Sequence, residues 1–376
     1  MRILQISSAK NFGGGEKHFV DLCRGLTERG HDVAVVARPF AGWLEQLSFL
    51  PPEKVFHLPL RNSLDFSSAI KIAEIIRRQK IEIVHAHLAR DYAIAAIAAR
   101  IEKTAKLILT RHVFFPLNFL HKFILPTDAT FIAPTAEGRE KLLRQKILSA
   151  RQVHLIYYGI DTKHFAESLK KTNQANLREQ LNLPAGNQLV GIAGEITAHK
   201  GQTDFVKAAS IILKKFPDAE FLVIGEDGSP RKKHQKHLEK IIAKLGLQNK
   251  IHLLGFWKDA APFYAMLDVF VSASRVEPFG LVIAEAMASR RAVVATSTDG
   301  AREIITDETG KIVPVKNSEA IAEAVAAFLG NRQMREDFGR KAQIRIEENF
   351  SLEKMLNETE KLYRNLSEEK SGYYSF

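Results

Sequence analysis

Short β-type apolar runs alternate with longer helix-type segments along the whole chain, the pattern of parallel α/β sheets. In the first half the pattern predicts strands near Arg2–Ser7, Asp32–Ala37, Val55–Leu58, Ile83–Ala86, Lys106–Thr110, Ala129–Ala133 and Val153–Ile156. Helices are predicted between them, over Glu16–Arg29, Ser67–Gln79, Tyr92–Ile101 and Ala136–Gln145. In the second half strands are expected near Gln188–Ala193, Glu220–Gly225, Ile251–Leu254, Val269–Ser272, Ala292–Ala295 and Lys311–Val313, with a helix over Thr203–Leu213. The polar stretch Lys163–Asn176 reads as a linker. It divides the chain into domains 1–165 and 166–350, each a doubly wound α/β sheet facing the other across a cleft. Ligands gather beyond the carboxyl ends of such strands. The closing segment Phe350–Leu366 carries Leu352, Met355, Leu356 and Leu362 at helical spacing.

A length of 376 residues is too great for one ordinary core and suits two domains. Apolar residues at 45% and charged ones at 26% are typical of soluble globular proteins, which sets aside fibrous and disordered classes. The single cysteine, Cys23, sits in an amphipathic helix pattern and reads as a buried thiol, compatible with a reducing cytosol. The N-terminus enters a strand pattern directly, so no secretory signal is expected. The longest apolar stretches, Ala93–Ala99 and Val113–Pro126, are too short or too interrupted to span a bilayer.

Charge is unevenly placed. The net charge is +11, and residues 1–165 hold 24 Lys and Arg against 15 Asp and Glu, while the remainder holds 30 against 28. A basic first half points to an anionic partner, either a membrane surface or an acceptor bearing phosphate or carboxylate. No nucleic-acid-binding motif accompanies it, so no nucleic acid is expected. The aromatic stretch Val113–Pro126 lies in this half beside basic residues, a composition suited to peripheral membrane contact.

The chemistry concentrates in Glu277-Pro278-Phe279-Gly280-Leu281-Val282-Ile283-Ala284-Glu285. Pro278 suits a helix start, where its missing N–H is not needed, so Pro278 or Phe279 is predicted to open a helix. The backbone N–H groups of Phe279, Gly280 and Leu281 then form a phosphate cradle at the positive end of the helix dipole. Glu285, two turns inside among apolar residues, needs a partner or a ligand. A ribose diol would satisfy it, and Glu277 at the mouth would hold a sugar hydroxyl. Together these outline a nucleotide-sugar site.

The stretch resembles the E-x7-E element of retaining glycosyltransferases with the two-domain GT-B fold, in particular the GT4-like "glycosyl transferases group 1" family. The likeness runs through nearly the whole chain. It includes Met1-Arg2-Ile3-Leu4-Gln5-Ile6 with Gly13-Gly14-Gly15-Glu16, Ile83-Val84-His85-Ala86-His87, and Ile156-Tyr157-Tyr158-Gly159-Ile160-Asp161. Lys200-Gly201, Val223-Ile224-Gly225-Glu226-Asp227-Gly228 and Ser274-Arg275-Val276-Glu277-Pro278-Phe279-Gly280 follow in the family order.

The resemblance implies two facing Rossmann-like domains, with the last helix (351–376) crossing back onto the first. The substrate implied is a nucleotide sugar, UDP- or GDP-linked, and the acceptor a glycan or a lipid-linked molecule, with lipopolysaccharide among the choices. No cofactor and no metal are implied, and His85-x-His87 reads as strand packing. The enzyme would be cytoplasmic, peripheral at the inner leaflet. Lys200 would reach the donor diphosphate, and Gly14 and Gly15 would let backbone approach the donor. His112 would stand near the transferred sugar. Phe256, in the base-binding segment 250–256, would lie near the nucleobase, Asp227-Gly228 beneath the nucleotide, and Arg231 near phosphate. Catalytic roles thus fall on Glu277, His112 and Lys200. Phe279, Gly280, Leu281 and Glu285 join the donor-binding set. No nucleophile is assigned, since the family mechanism implied is front-face transfer.

Two departures from the family pattern stand out. Glu195 occupies a position usually held by Arg, and Tyr158 one where Asn is common. A carboxylate about 4 Å from a diphosphate charge would repel it by roughly 4 kcal/mol at an effective dielectric near 20. Glu195 is therefore expected to turn away, to pair with a cation such as Lys200 or Arg275, or to contact a hydroxyl instead. Two other readings stay open: a nucleotide-sugar 2-epimerase of similar architecture, and a non-catalytic sugar- or membrane-binding descendant.

Overall fold

The computed structural model describes residues 1–112, 124–126 and 128–368. It divides into two compact units, Met1–Gly159 with Leu352–Phe376, and Ile160–Ser351. The break falls a little before the expected position at residue 165.

The first unit is built on seven parallel strands in the order β3-β2-β1-β4-β5-β6-β7. They are β1 Arg2–Ser7, β2 Asp32–Ala37, β3 Val55–His57, β4 Ile83–Ala86, β5 Lys106–Thr110, β6 Thr130–Ala133 and β7 Val153–Leu155. Helices α1 Gly14–Glu28, α2 Phe66–Arg78, α3 Ala89–Glu102 and α4 Ala136–Arg144 are interleaved with them. Strand side chains alternate between two cores, as the two-residue period requires. Leu4, Ile6, Val84, Ala86, Leu107 and Leu109 pack with residues of α2 and α3. Ile3, Val33, Val35, Ile83, Ile108 and Ile132 pack on the opposite face with α1 and the final helix. Cys23 is fully buried in that second core, where burial pushes its thiol well above the usual range.

The second unit holds six parallel strands in the order β10-β9-β8-β11-β12-β13. They are β8 Leu189–Ala193, β9 Glu220–Ile224, β10 Ile251–Leu253, β11 Val269–Ser272, β12 Ala292–Thr296 and β13 Lys311–Val313. Its helices are α5 Thr162–Lys171, α6 Gln174–Gln180, α7 Gln202–Ile212, α8 Lys233–Lys244, α9 Ala261–Met266, α10 Leu281–Ala288, α11 Asp299–Ile304, α12 Ser318–Gly330 and α13 Arg332–Asn349.

The expected linker is not one. Lys163–Asn176 lies mostly in α5 and α6. Asp161 caps α5 by accepting from the His164 amide, and Asn173 caps α6 by accepting from the Asn176 amide. Phe165 anchors α5 by burial. The polar composition belongs to the exposed faces of two short helices.

The final helix, α14 Leu352–Glu368, belongs to the first unit. Leu356 presses on Gly25 of α1 so closely that a Cβ there would lie 2.3 Å from Leu356 Cδ1. Glu360 binds Arg29 at 3.0 Å and His31 at 3.0 Å. Among the described residues no helix is long and apolar enough to cross a membrane. Most of the aromatic stretch proposed for membrane contact, residues 113–123, lies outside the described residues.

Candidate functional site

In both sheets the chain winds outward, then returns to the far side of its first strand. In the second unit this switch point lies between β8 and β11. The region beyond the strand ends at such a point is the usual place for a ligand in this kind of sheet. The loop after β8 carries Lys200, and the loop after β11 carries Glu277.

Backbone contacts tie the two loops together. The Arg275 amide donates to the His199 carbonyl at 2.7 Å. Gly201 adopts a left-handed φ of +69°, and a Cβ there would fall 2.0 Å from the Ala273 carbonyl oxygen. Only glycine permits that approach. So held, Lys200 Nζ lies 2.5 Å from Glu277 Oε2, and Ser274 Oγ donates to the same oxygen at 3.3 Å. The lysine side chain is 27% exposed and the glutamate 12%, so the pair is sheltered yet reachable.

The helix bearing Glu285 begins later than predicted. Pro278 and Phe279 precede it, and α10 starts at Leu281 after Gly280, whose φ of +100° is the left-handed geometry. Phe279 is buried, with its ring edge-on to Phe350 at 5.9 Å, so its side chain serves the core. The helix-start amides therefore belong to Leu281 and Val282, which have no carbonyl four residues back within the helix. Glu285 is 7% exposed and accepts from the Tyr264 hydroxyl at 2.9 Å. Burial, aided by the glutamate charge, pushes the Tyr264 phenol well above its usual range.

The remaining second-unit candidates follow the adjacent strands β8, β9 and β10. Glu195 is exposed and pairs with neither suggested cation: its carboxylate lies beside Gly228, Lys200 holds Glu277, and Arg275 holds Asp204 at 3.7 Å. Asp227 lies in the loop between β9 and the turn that precedes α8. Its carboxylate accepts from the amides of Ser229, His234 and Gln235 at 2.7 to 3.0 Å and so fastens the start of α8. Burial alone would raise this acid, but those bonds hold it well below the usual carboxylate range. Arg231 is exposed in a short turn at φ +62°. Phe256 is 61% exposed, just past β10.

The first unit gathers its candidates at its own switch point, between β1 and β4. Gly13 precedes α1, and Gly14 and Gly15 form its first turn. His112 packs on Gly15, where a Cβ would lie 3.7 Å from the imidazole Cγ. Glu16 turns back toward Gly13; burial raises its pKa, and bonds to the Glu16 and Gly13 backbone partly oppose that. The Gly13 backbone thus already has a carboxylate beside it. Both ring nitrogens of His112 are engaged, Nδ1 with the Tyr158 hydroxyl and Nε2 with His87 Nδ1 at 3.3 Å. Burial holds the His112 pKa down to about 3. Among the described residues no three His, Cys, Asp or Glu side chains gather as a metal would require.

Comparison with known proteins decides the family. A model of "Glycosyl transferases group 1" matches residues 173–345, and one of "Glycosyltransferase Family 4" matches residues 12–164. The chain belongs to the group 1 glycosyltransferases. It is 31% identical over 215 residues to the lipopolysaccharide core biosynthesis mannosyltransferase LpsB of Rhizobium meliloti (strain 1021). That match takes in 56% of this chain and 60% of LpsB. The N-acetyl-alpha-D-glucosaminyl L-malate synthase of Bacillus anthracis is 23% identical over 387 residues, 98% of each chain. In fold, the chain matches the crystal structure of Anabaena Alr3699/HepE in complex with UDP-glucose at a TM-score of 0.81. Identity there is 21%, over 97% of this chain and 100% of that one.

Three groups in this glycosyltransferase were missed by sequence reasoning. Tyr264 lies in α9, a sequence-distant segment, and nothing local signals that it meets Glu285. Ser274, three residues before Glu277, was within reach of a spacing argument. Asp91, at the start of α3, is fully buried and accepts from the Ser8 amide at 2.8 Å. It ties the end of β1 to α3, and an acid in the first turn of a helix is a readable signal.

Proposed function

We propose that this glycosyltransferase is retaining and metal-independent, and moves a hexose-type sugar from a UDP- or GDP-sugar to a glycan or lipid-linked acceptor. The contact of Lys200 with Glu277 at the β8/β11 switch point carries this reading. Departing diphosphate is met best by fixed positive charge, which Lys200 and the helix-start amides of α10 supply without a metal. Glu277, positioned by Lys200 and Ser274, holds a sugar hydroxyl. Glu285, oriented by Tyr264, accepts from the ribose. For the first unit, Gly14 and Gly15 are assigned to backbone approach toward a donor and His112 to a sugar hydroxyl.

The donor class is supported by the bound UDP-glucose of the HepE protein, which shares this fold. A lipopolysaccharide-type acceptor is supported by the name of LpsB. The basic balance of residues 1–165 favours peripheral contact with an anionic inner leaflet and a cytoplasmic site of action.

The test is incubation of the chain with radiolabelled UDP- and GDP-sugars and candidate glycan or lipopolysaccharide acceptors. A labelled acceptor retaining the anomeric configuration of the donor supports the proposal. Isomerised donor without transfer product would make the chain an epimerase. Calorimetry showing no UDP or GDP binding would make it a non-catalytic descendant.

A further inference from the structure

One face of the first sheet carries an unbroken line of buried polar groups. Gln5 of β1, His85 of β4 and Thr110 of β5 share the face covered by α1 and α14, and His87 follows β4 on the same side. None is more than 2% exposed, nor is Tyr363 of α14. His112 Nε2 meets His87 Nδ1 at 3.3 Å, and His87 Nε2 meets Gln5 Oε1 at 2.8 Å. Gln5 Nε2 donates to the Tyr363 hydroxyl at 3.3 Å. That hydroxyl meets His85 Nδ1 at 2.6 Å, and His85 Nε2 meets Thr110 Oγ1 at 2.6 Å.

The Gln5 amide gives this line a direction. A neutral imidazole has one donor and one acceptor nitrogen, and an amide oxygen only accepts. Since Gln5 Oε1 faces His87, the proton of His87 lies on Nε2 and its Nδ1 accepts. His112 must then carry its proton on Nε2, which leaves Nδ1 to accept from the Tyr158 hydroxyl. On the other side, Tyr363 receives the Gln5 N–H and gives its own proton to His85 Nδ1, and His85 donates from Nε2 to Thr110. The rings are neutral throughout: burial holds His85 and His112 to about 3 and His87 well below its ordinary value.

We propose that Gln5 and Tyr363 are positioning residues for His112, fixing it from within the sheet as the Nε2–H tautomer with Nδ1 an acceptor. Tyr363 thereby gives α14 a role in the site beyond covering the core. A sugar hydroxyl would take the place of the Tyr158 hydroxyl at Nδ1, and that step rests on the function proposed above, but the tautomer does not.

The experiment is long-range ¹H–¹⁵N correlation spectroscopy of the ligand-free full chain labelled in histidine, with His112 assigned by signal loss in His112→Asn. Wild-type His112 is expected to show a protonated Nε2 and a pyridine-type Nδ1. Tyr363→Phe removes the acceptor that orients the Gln5 amide, and Gln5→Leu removes the acceptor for His87. Each should shift His112 to a mixture of tautomers or to Nδ1–H. A wild-type His112 protonated on Nδ1, or an unchanged tautomer in Tyr363→Phe, overturns the proposal. No ligand is used, so failure to bind UDP would sink the functional reading and leave this result standing.

Discussion

Lys200 Nζ stands 2.5 Å from Glu277 Oε2, although the two residues are 77 positions apart. The pair sets an electrostatic balance at the candidate diphosphate site. Lys200→Ala removes the cation and leaves Glu277 facing the phosphates. A charge-assisted bond contributes about 1.5–3 kcal/mol, so UDP affinity should fall roughly 10- to 100-fold. Glu277→Gln keeps the shape and removes the repulsive charge, so UDP should bind as well or better while sugar transfer is lost. The double variant should cost less than Lys200→Ala alone. Calorimetric titration of UDP into the three variants checks all of this.

Tyr264 and Glu285 form the second pairing. If Glu285 accepts from the ribose, the wild type should bind 2′-deoxy-UDP about tenfold more weakly than UDP, the loss of one hydrogen bond to a charged group. Glu285→Ala should bind both nucleotides equally. Equal affinity in the wild type would remove Glu285 from the ribose site. Tyr264→Phe takes one donor from a buried carboxylate and should lower stability by about 1–3 kcal/mol in urea unfolding.

Asp91 makes the first unit sensitive to neutral pH. Burial pushes its pKa up to about 7, against the opposing bond from Ser8, so the folded chain keeps a proton that the unfolded chain releases near pH 4. Bound protons in excess in the folded state make stability fall as pH rises, here between about pH 4 and 7. Asp91→Asn, neutral at every pH, should flatten that slope and be the more stable form at pH 8. Urea midpoints of both proteins at pH 5 and 8 test it.

Glu360 acts in the opposite sense at acid pH. Its bonds to Arg364 first, then to His31 and Arg29, hold its pKa down to about 2 against the cost of partial burial. The stabilisation is fully present above the ordinary carboxylate value and disappears as pH falls through about 2. Between about pH 4 and 2, α14 should loosen from α1. Hydrogen exchange of α14 amides should quicken over that window, and Glu360→Gln should show the faster exchange already at pH 6.

Much of this architecture is legible in the chain. Thirteen strands fall where apolar runs predict them, because a strand's two-residue period is written in consecutive residues. The same alternation puts Gln5, His85 and Thr110 on one face, since their neighbours Leu4, Ile6, Val84, Ala86 and Leu109 point to the other, toward α2 and α3. Gly201 was visible only as a glycine beside a lysine, yet it is the contact with Ala273 that makes it indispensable. Errors arose where composition stood in for geometry. Lys163–Asn176 is polar, but its caps at Asp161 and Asn173 and the buried Phe165 make helices of it. Pro278 suggested a helix start, but packing of Phe279 on Phe350 and the left-handed Gly280 delay that start to Leu281.

The amino-acid sequence by itself determined the strand periods, the parallel α/β class, the family and which residue types stand beyond the strand ends. Tertiary structure alone decided which of them meet: Lys200 with Glu277, Tyr264 with Glu285, and Tyr363 with the histidines beneath His112. The reason is physical. Periodicity acts between near neighbours and recurs along each element, whereas a contact between side chains on separate loops and helices depends on where packing brings those elements, and leaves no local mark.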